Sequence, residues 1–253
     1  MRALPLLILM FVATDALAQY GSGLNLFWNR CHAGGGTASA SFACDSSTGP
    51  SLDLIASIVI PADIPEFAGA MVTMDIWVSG AALPPWWQTN AGQCRDGAIS
   101  ARFDAAALQE TGCPSIWMNS TVQTVFQAIQ GLRGPYTLRL AAAAAVPEGE
   151  EIALVADGTE WTVARISISR AKSAGADACA GCRTPACLQF EGCVLWRRAG
   201  DDYFRVTNGT TYQSQFAFLN APAPEVSSEN VWWPCGIVPA VNRTWGAIKT
   251  LYR

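Results

Sequence analysis

The sequence predicts an all-β fold, a disulfide-stapled antiparallel β-sandwich that ends in a short C-terminal helix. Short β-rich runs recur along the chain and are separated by Gly- and Pro-containing turns. The clearest run, residues 70–79, alternates so that its even-numbered apolar residues share one face, as in a half-buried strand. Nine cysteines supply material for the staples. No internal repeat or linker divides the sequence, so one sandwich domain is expected.

Three parts of the chain are distinguished. Residues 1–18 have the form of a secretory signal peptide, with Arg2, a short apolar core and a small-x-small ending at Ala18. Residues 19–241 carry the β-rich runs and are predicted to form the sandwich, and residues 242–253 are predicted to form the helical tail. No run is long and apolar enough for a transmembrane segment. We therefore expect a secreted or periplasmic protein.

The predicted strands, in chain order, are residues 24–28, 39–44, 52–60, 70–79, 98–103, 136–146, 151–155, 161–169, 187–197, 203–206 and 212–218. The run 136–146 is rich in alanine, which favours helix, but it alternates and lies between two prolines, so strand is favoured. Residues 120–130 are predicted as a short helix because their apolar residues recur at helical spacing. Asp157 and Gly158 between two β-rich runs predict a β-hairpin.

The cysteines are interpreted as disulfides because export places them in an oxidising compartment. The predicted pairs are Cys31–Cys44, Cys94–Cys113, Cys179–Cys182 and Cys187–Cys235. An odd number leaves one thiol over. We assign this free thiol to Cys193, which follows Cys187 by six residues and is therefore expected on the same side of an extended strand.

The cluster from Cys179 to Cys193 has two other interpretations. The spacing of Cys179 and Cys182 fits half of a four-thiolate zinc site, but the spacing of Cys187 and Cys193 does not suit the other half. A redox-active Cys-x-x-Cys needs a helix N-terminus within a βαβ unit, and no such pattern surrounds this one. We therefore expect no metal and no cofactor.

The sequence contains no clear motif for a catalytic site. His32 is the only histidine and follows Cys31 directly, but triads depend on geometry and not on adjacency in sequence. A glycoside hydrolase needs two carboxyl groups facing each other across a cleft. The sequence does not pair any of the candidates, which are Asp53, Asp75, Asp104, Glu148, Glu150, Glu151, Asp157 and Glu160. We expect a non-enzymatic protein, with such a hydrolase as one alternative.

The tryptophan doublets Trp86–Trp87 and Trp232–Trp233 are the strongest indication of a binding role. Adjacent residues of a strand face opposite sides, so one member of each doublet is a candidate to lie exposed and to stack on a sugar ring. The other interpretation is that they pack over the ends of the sandwich. The net charge of −4 and the lack of a basic cluster argue against nucleic acid. The expected partner is a glycan or a cell-surface protein.

Four stretches together resemble a group of secreted, cysteine-stapled bacterial proteins with no assigned activity. They are Ser-Phe-Ala-Cys-Asp at 41–45, Leu-Pro-Pro-Trp-Trp-Gln at 83–88, Ala-Cys-Ala-Gly-Cys at 178–182 and the ending 242–253, which contains Thr-Trp-Gly-x-Ile-Lys-x-Leu-Tyr-Arg. The resemblance implies bacterial export and carries no functional residue. Cys193 is extra relative to the pattern of the group, which suits a free thiol. The resulting hypothesis is a secreted surface or binding module, with carbohydrate binding through the loop tryptophans as the other alternative.

Overall fold

A computed structural model describes residues 23–118, 120–198, 203–206 and 215–221. Its strands are β1 (Gly23–Trp28), β2 (Ser39–Ala40), β3 (Leu52–Val59), β4 (Ile64–Val78), β5 (Ile99–Arg102), β6 (Gln123–Gln130), β7 (Thr137–Ala145), β8 (Ile152–Leu154), β9 (Glu160–Ile168), β10 (Ala186–Arg197), β11 (Tyr203–Val206) and β12 (Phe216–Leu219). A short helix, α1 (Ala105–Gln109), and a 3-10 turn (Pro85–Trp87) lie between them.

The strands form two sheets that pack face to face. The smaller sheet has the order β1-β3-β9-β5, and the larger sheet has the order β2-β12-β10-β4-β7-β6, with β11 beside β10 and β8 beside β4. Pairing is antiparallel throughout these strands except between β2 and β12. Apolar residues of both sheets meet in one core. The predicted all-β sandwich is confirmed, whereas the predicted helix at 242–253 lies outside the described residues.

The side chains of strand β4 alternate between the two faces of the larger sheet. Val72, Met74 and Ile76 are buried against the smaller sheet, while Asp75 and Trp77 lie on the opposite face, here called the outer face. Strand β7 runs beside β4 in an unbroken antiparallel register. Its even-numbered residues from position 138 to 144 are buried, so the alanine-rich run is a strand, as predicted. No helix in the described part of the chain has the length and apolarity that a membrane crossing requires.

Two local predictions are wrong. Residues 123–130 form strand β6 and not a helix, because β7 offers an eight-residue ladder whose tertiary contacts override the helical spacing of the apolar residues. Asp157 and Gly158 do form a turn, in which the Asp157 carboxylate accepts a hydrogen bond from the Thr159 amide. The flanking strands do not form a hairpin, since β8 pairs with β4 and β9 pairs with β3 and β5.

Three predicted disulfides are also wrong. In place of Cys31–Cys44, Cys94–Cys113 and Cys179–Cys182, the bonds are Cys31–Cys113, Cys44–Cys182 and Cys94–Cys179. Their sequence separations are 82, 138 and 85 residues. Short spacing favoured the wrong partners because the sandwich brings together loops that are remote in sequence. The two cysteines of the Cys-x-x-Cys motif each bind a different distant loop.

Cys193 is a buried free thiol, as predicted. Its orientation differs from the expected one: Cys187 packs in a cluster on the outer face, while Cys193 packs in the core. A register shift between Phe190 and Gly192 inserts one residue into β10 and reverses the facing of those that follow. Cys187 is disulfide-bonded; Cys235, its predicted partner, lies outside the described residues, so that pairing stays a prediction.

Candidate functional site

The doublet Trp86–Trp87 does not form an exposed platform. Both side chains have 0% solvent exposure, and their rings pack edge-to-face with centroids 4.9 Å apart. The Trp86 indole N–H donates to the Ser173 hydroxyl at 3.1 Å, and the Phe42 ring packs against the same indole at 4.9 Å. The prediction that this doublet binds a ligand is therefore wrong. Trp232 and Trp233 lie outside the described residues.

Trp86 instead belongs to a structural clamp around a buried arginine. The Arg95 guanidinium lies 3.8 Å from the Trp86 ring centroid and is 1% exposed. It donates to the backbone carbonyls of Trp86, Ser169 and Ala171. Burial lowers the pKa of Arg95 to about 10, which leaves the group charged at neutral pH. Together with the neighbouring Cys94–Cys179 bond, this clamp fixes the loops at one end of the sandwich.

The outer face of the larger sheet carries a buried carboxylate at its centre. Asp75 is 1% exposed, and the Arg139 guanidinium binds both of its oxygens, each at 2.6 Å. Asp75 Oδ2 also contacts Arg133 Nε at 2.7 Å. The hydrogen bonds that Arg139 donates to Asp75 are the main reason that the pKa of Arg139 is raised. Two cations thus hold one carboxylate in a fixed position, as bidentate pairing permits.

Further charged residues lie next to Arg133 on the outer face. This residue bridges to Glu191, with Nη2 and Oε2 2.9 Å apart, and its side chain is 42% exposed. Burial raises the pKa of Glu191, against the opposing effect of Arg133. The Arg205 guanidinium is close enough to Glu191 to lower the same pKa and lies near the Gly192 backbone.

We call these five residues, Asp75, Arg133, Arg139, Glu191 and Arg205, the charged cluster. Three guanidinium groups face two carboxylates, so the charged cluster has one positive charge in excess. That local sign is opposite to the net charge of −4 of the chain.

Beside the charged cluster, three paired rows cross β10, β4 and β7 on the outer face and form a strip. The rows are Gly192–Thr73–Ala141, Val194–Met71–Ala143 and Trp196–Gly69–Ala145, so most of these side chains are small, with Val194 and Met71 in the middle row. Larger groups border this strip on both sides. Val125 of β6 is 64% exposed at one side; at the other, Tyr203 of β11 is 58% exposed and lies opposite Trp196 in register.

At the other end of the same face lies a buried apolar cluster. Cys187, Phe216 and Phe218 form it, and Trp77 packs against them. The Trp77 ring also lies 6.0 Å from that of Tyr136. The charged cluster therefore has aromatic neighbours at both ends of the outer face.

A second buried carboxylate, Glu160, lies on the outer face of the smaller sheet, and its hydrogen-bond partners in the described part of the chain are neutral. Its Oε1 accepts from Ser57 at 2.5 Å and from Asn25 at 3.1 Å. The backbone amide of His32 donates to Oε1 at 3.1 Å, and that of Ala33 donates to Oε2 at 2.7 Å.

The loop that carries His32 seals this position. It is closed by the Cys31–Cys113 bond, and Gly36 lies so close to the Arg30 carbonyl that a Cβ there would come within 2.1 Å of it. Cys31, Cys113 and Glu160 are close enough to surround an ion. The two sulfurs are bonded to each other, however, and the carboxylate oxygens already accept hydrogen bonds, so the group does not fit a metal centre.

The arrangement at Asp75 suits binding better than catalysis. A glycosidase needs one carboxylate to attack or activate water and another to donate a proton across an open gap. Asp75 and Glu191 are instead bridged by the same guanidinium. The Arg133 side chain is 42% exposed and Arg205 is exposed. Guanidinium groups recognise carboxylates with directional hydrogen bonds.

Sequence reasoning identified Asp75 only as one of many acidic residues and overlooked its partners. A usable signal was present. Asp75 is the single charge in the run 70–79, and Arg139 is the single charge in the run 136–146. Opposite lone charges at outward positions of two apolar strands are compatible with a cross-strand pair. Glu191, Arg133 and Arg205 carried no comparable signal, because a bulge, a turn and a distant strand bring them together.

Comparison with known proteins gives no relative: no protein-family model, curated protein or solved structure matches the chain. The resemblance of the sequence to secreted bacterial proteins stays a prediction.

Proposed function

We propose that the protein is an exported, non-enzymatic binding module that recognises a carboxylate-bearing glycan through the outer face of its larger sheet. The observation that carries the proposal is the charged cluster, in which Asp75 and Glu191 hold Arg133 beside the strip of mostly small side chains. Guanidinium groups fixed in this way lose little conformational entropy when they bind a further carboxylate.

The surroundings support an extended polymeric ligand. A strip of mostly small side chains suits a polymer that lies along the sheet. Tyr203 and Trp196 at its border provide aromatic surface of the kind on which sugar rings stack. This differs from carbohydrate binding through Trp86 and Trp87, whose rings are buried.

Export is part of the same proposal. The form of residues 1–18 indicates a signal peptide, and the disulfides suit an oxidising compartment. The resemblance of the sequence to secreted bacterial proteins supports the same location.

Polygalacturonate, a polymer of carboxylate-bearing sugars, is a direct probe. We expect the wild-type protein to bind it, and Arg133→Met to weaken binding about tenfold, the effect of losing one charge-assisted contact. Arg102→Met is the matched control, because Arg102 is an exposed arginine of β5 on the other sheet, 55% exposed and paired with Asp104. Biolayer interferometry at low and high salt measures both. Absence of wild-type binding, or equal losses in the two variants, contradicts the proposal.

A further inference from the structure

Strand β6 ends the larger sheet and leaves an edge without a partner among the described strands. It pairs with β7 through eight residues and without a register shift. Four of its eight residues are exposed, namely Gln123, Thr124, Val125 and Gln127, and the other four are partly exposed. A regular edge of this length is a template for another strand.

The backbone groups that face this edge can be assigned. In an antiparallel ladder, residues alternate between those that bond the neighbouring strand and those that point away from it. The Gly131 amide donates to the Thr137 carbonyl, so the odd-numbered residues of β6 bond β7. The amides and carbonyls of Thr124, Phe126, Ala128 and Gln130 therefore point to the free edge.

Strand β6 also lacks the features that usually protect an edge. Natural edge strands carry charges, prolines or bulges, or are very short. The sequence of β6, Gln-Thr-Val-Phe-Gln-Ala-Ile-Gln, has no charge and no proline. The other edges differ: β2 has two residues, β5 and β11 have four each and carry arginine, and β1 is buried along its whole length.

We infer that β6 pairs with β6 of a second copy of this chain, antiparallel and about a two-fold axis at Gln127. In this register all four edge-facing residues bond the partner strand. On the core side, Phe126 lies opposite Ala128 of the partner copy, so a large side chain meets a small one. On the outer side, Val125 lies opposite Ile129, so two apolar side chains meet. At the axis of an isologous contact the two copies of the same residue, Gln127, lie together, and an uncharged residue there causes no repulsion.

The pairing has a consequence for the binding face. A two-fold axis perpendicular to the sheet keeps both outer faces on the same side. Two charged clusters would then lie on one continuous surface, which allows a polymer to bind both at once and raises the apparent affinity without a new contact. The dimer itself does not depend on the proposed ligand.

Sedimentation velocity of the full-length protein over micromolar to high-micromolar concentrations tests the inference. We expect a dimer for the wild type. Gln127→Lys places like charges opposite each other at the axis and should weaken dimerisation at least about tenfold. Gln123→Lys adds the same charge on the same strand but away from the axis and should leave the dimer intact.

A charge swap checks the register. An equimolar mixture of Gln127→Lys and Gln127→Glu should form a heterodimer, although each variant alone is a monomer. Circular dichroism of each variant verifies that the sandwich still folds. A wild-type monomer throughout, a dimer that Gln127→Lys leaves intact, or a mixture that stays monomeric overturns the inference.

Discussion

The two sheets each carry a buried carboxylate on the outer face, but the two carboxylates have opposite surroundings. Glu160 on the smaller sheet accepts hydrogen bonds from neutral donors and lies beneath a loop closed by Cys31–Cys113. Asp75 on the larger sheet is held by two arginines that extend to solvent. Glu160, surrounded by neutral donors and covered by a loop, therefore has a structural role. The arginines around Asp75 are partly exposed, so they have hydrogen-bond donors available for a ligand.

The largest effect on stability is expected from removing the disulfide that closes the loop over Glu160. Cys31→Ala with Cys113→Ala removes a bond that closes an 82-residue separation and should lower the free energy of unfolding by about 4 kcal/mol in the chain-entropy model. Urea titration under non-reducing conditions measures the change. Peptide mapping without reduction should recover Cys31 linked to Cys113; recovery of Cys31 linked to Cys44 would refute the assignment.

On the open side, Arg139→Met removes the bidentate partner of Asp75. Because Asp75 is almost fully buried, we expect a loss of about 3 kcal/mol in unfolding free energy, with Arg133 limiting the damage. The double variant Asp75→Leu with Arg139→Met should recover much of that loss, since it leaves no buried charge at position 75. Losses that simply add would mean that the two residues do not act as a pair.

Glu160→Gln should cost about 2 kcal/mol, because a carboxamide turns an N–H₂ group toward donors that need an acceptor. The matched control is Glu110→Gln. That carboxylate is 74% exposed and pairs with Arg165, so its removal should change stability by less than about 0.5 kcal/mol. Equal effects from the two substitutions would show that the Glu160 site is not sealed.

The smallest effect concerns pH. Burial raises the pKa of Glu191 in the folded state. The stability associated with its protonation is therefore fully present below the unfolded-state pKa, about 4.3, and is lost as pH rises through the folded value.

Relative to Glu191→Gln, the wild type should lose stability as pH increases from about 4 toward neutrality. The group is only half-buried, so we expect a change below about 1 kcal/mol. Thermal melts of both proteins across this range measure it. A wild type that gains stability relative to the variant would show that Arg133, and not burial, dominates.

The sequence predicted the features that depend on local pattern. Alternation in β4 and β7 is visible because each residue faces the core or the outer face by parity alone. Strand β6 was mistaken for a helix because its apolar residues recur at helical spacing and lie on both faces of the strand, so only the ladder with β7 shows it to be a strand.

Features that depend on long-range contacts were missed. The disulfides join loops that meet only after the sheets pack, and Trp86 is buried by Phe42 and Arg95 from separate loops. The bulge in β10 reversed the facing of Cys193 without any sequence signal. Asp75 and Arg139 are the exception, because lone charges in apolar strands mark them.

The central claim is that the outer face of the larger sheet is the one that binds. Hydroxyl-radical footprinting with and without polygalacturonate tests it directly. Tyr203 lies on this face and is 58% exposed. Met118 is 41% exposed and lies between α1 and β6, where its amide donates to the carbonyl of Ser115, which bridges to β9 of the smaller sheet. We predict that the polymer protects Tyr203 and leaves the oxidation of Met118 unchanged. Protection of Met118 with Tyr203 unaffected would contradict the account.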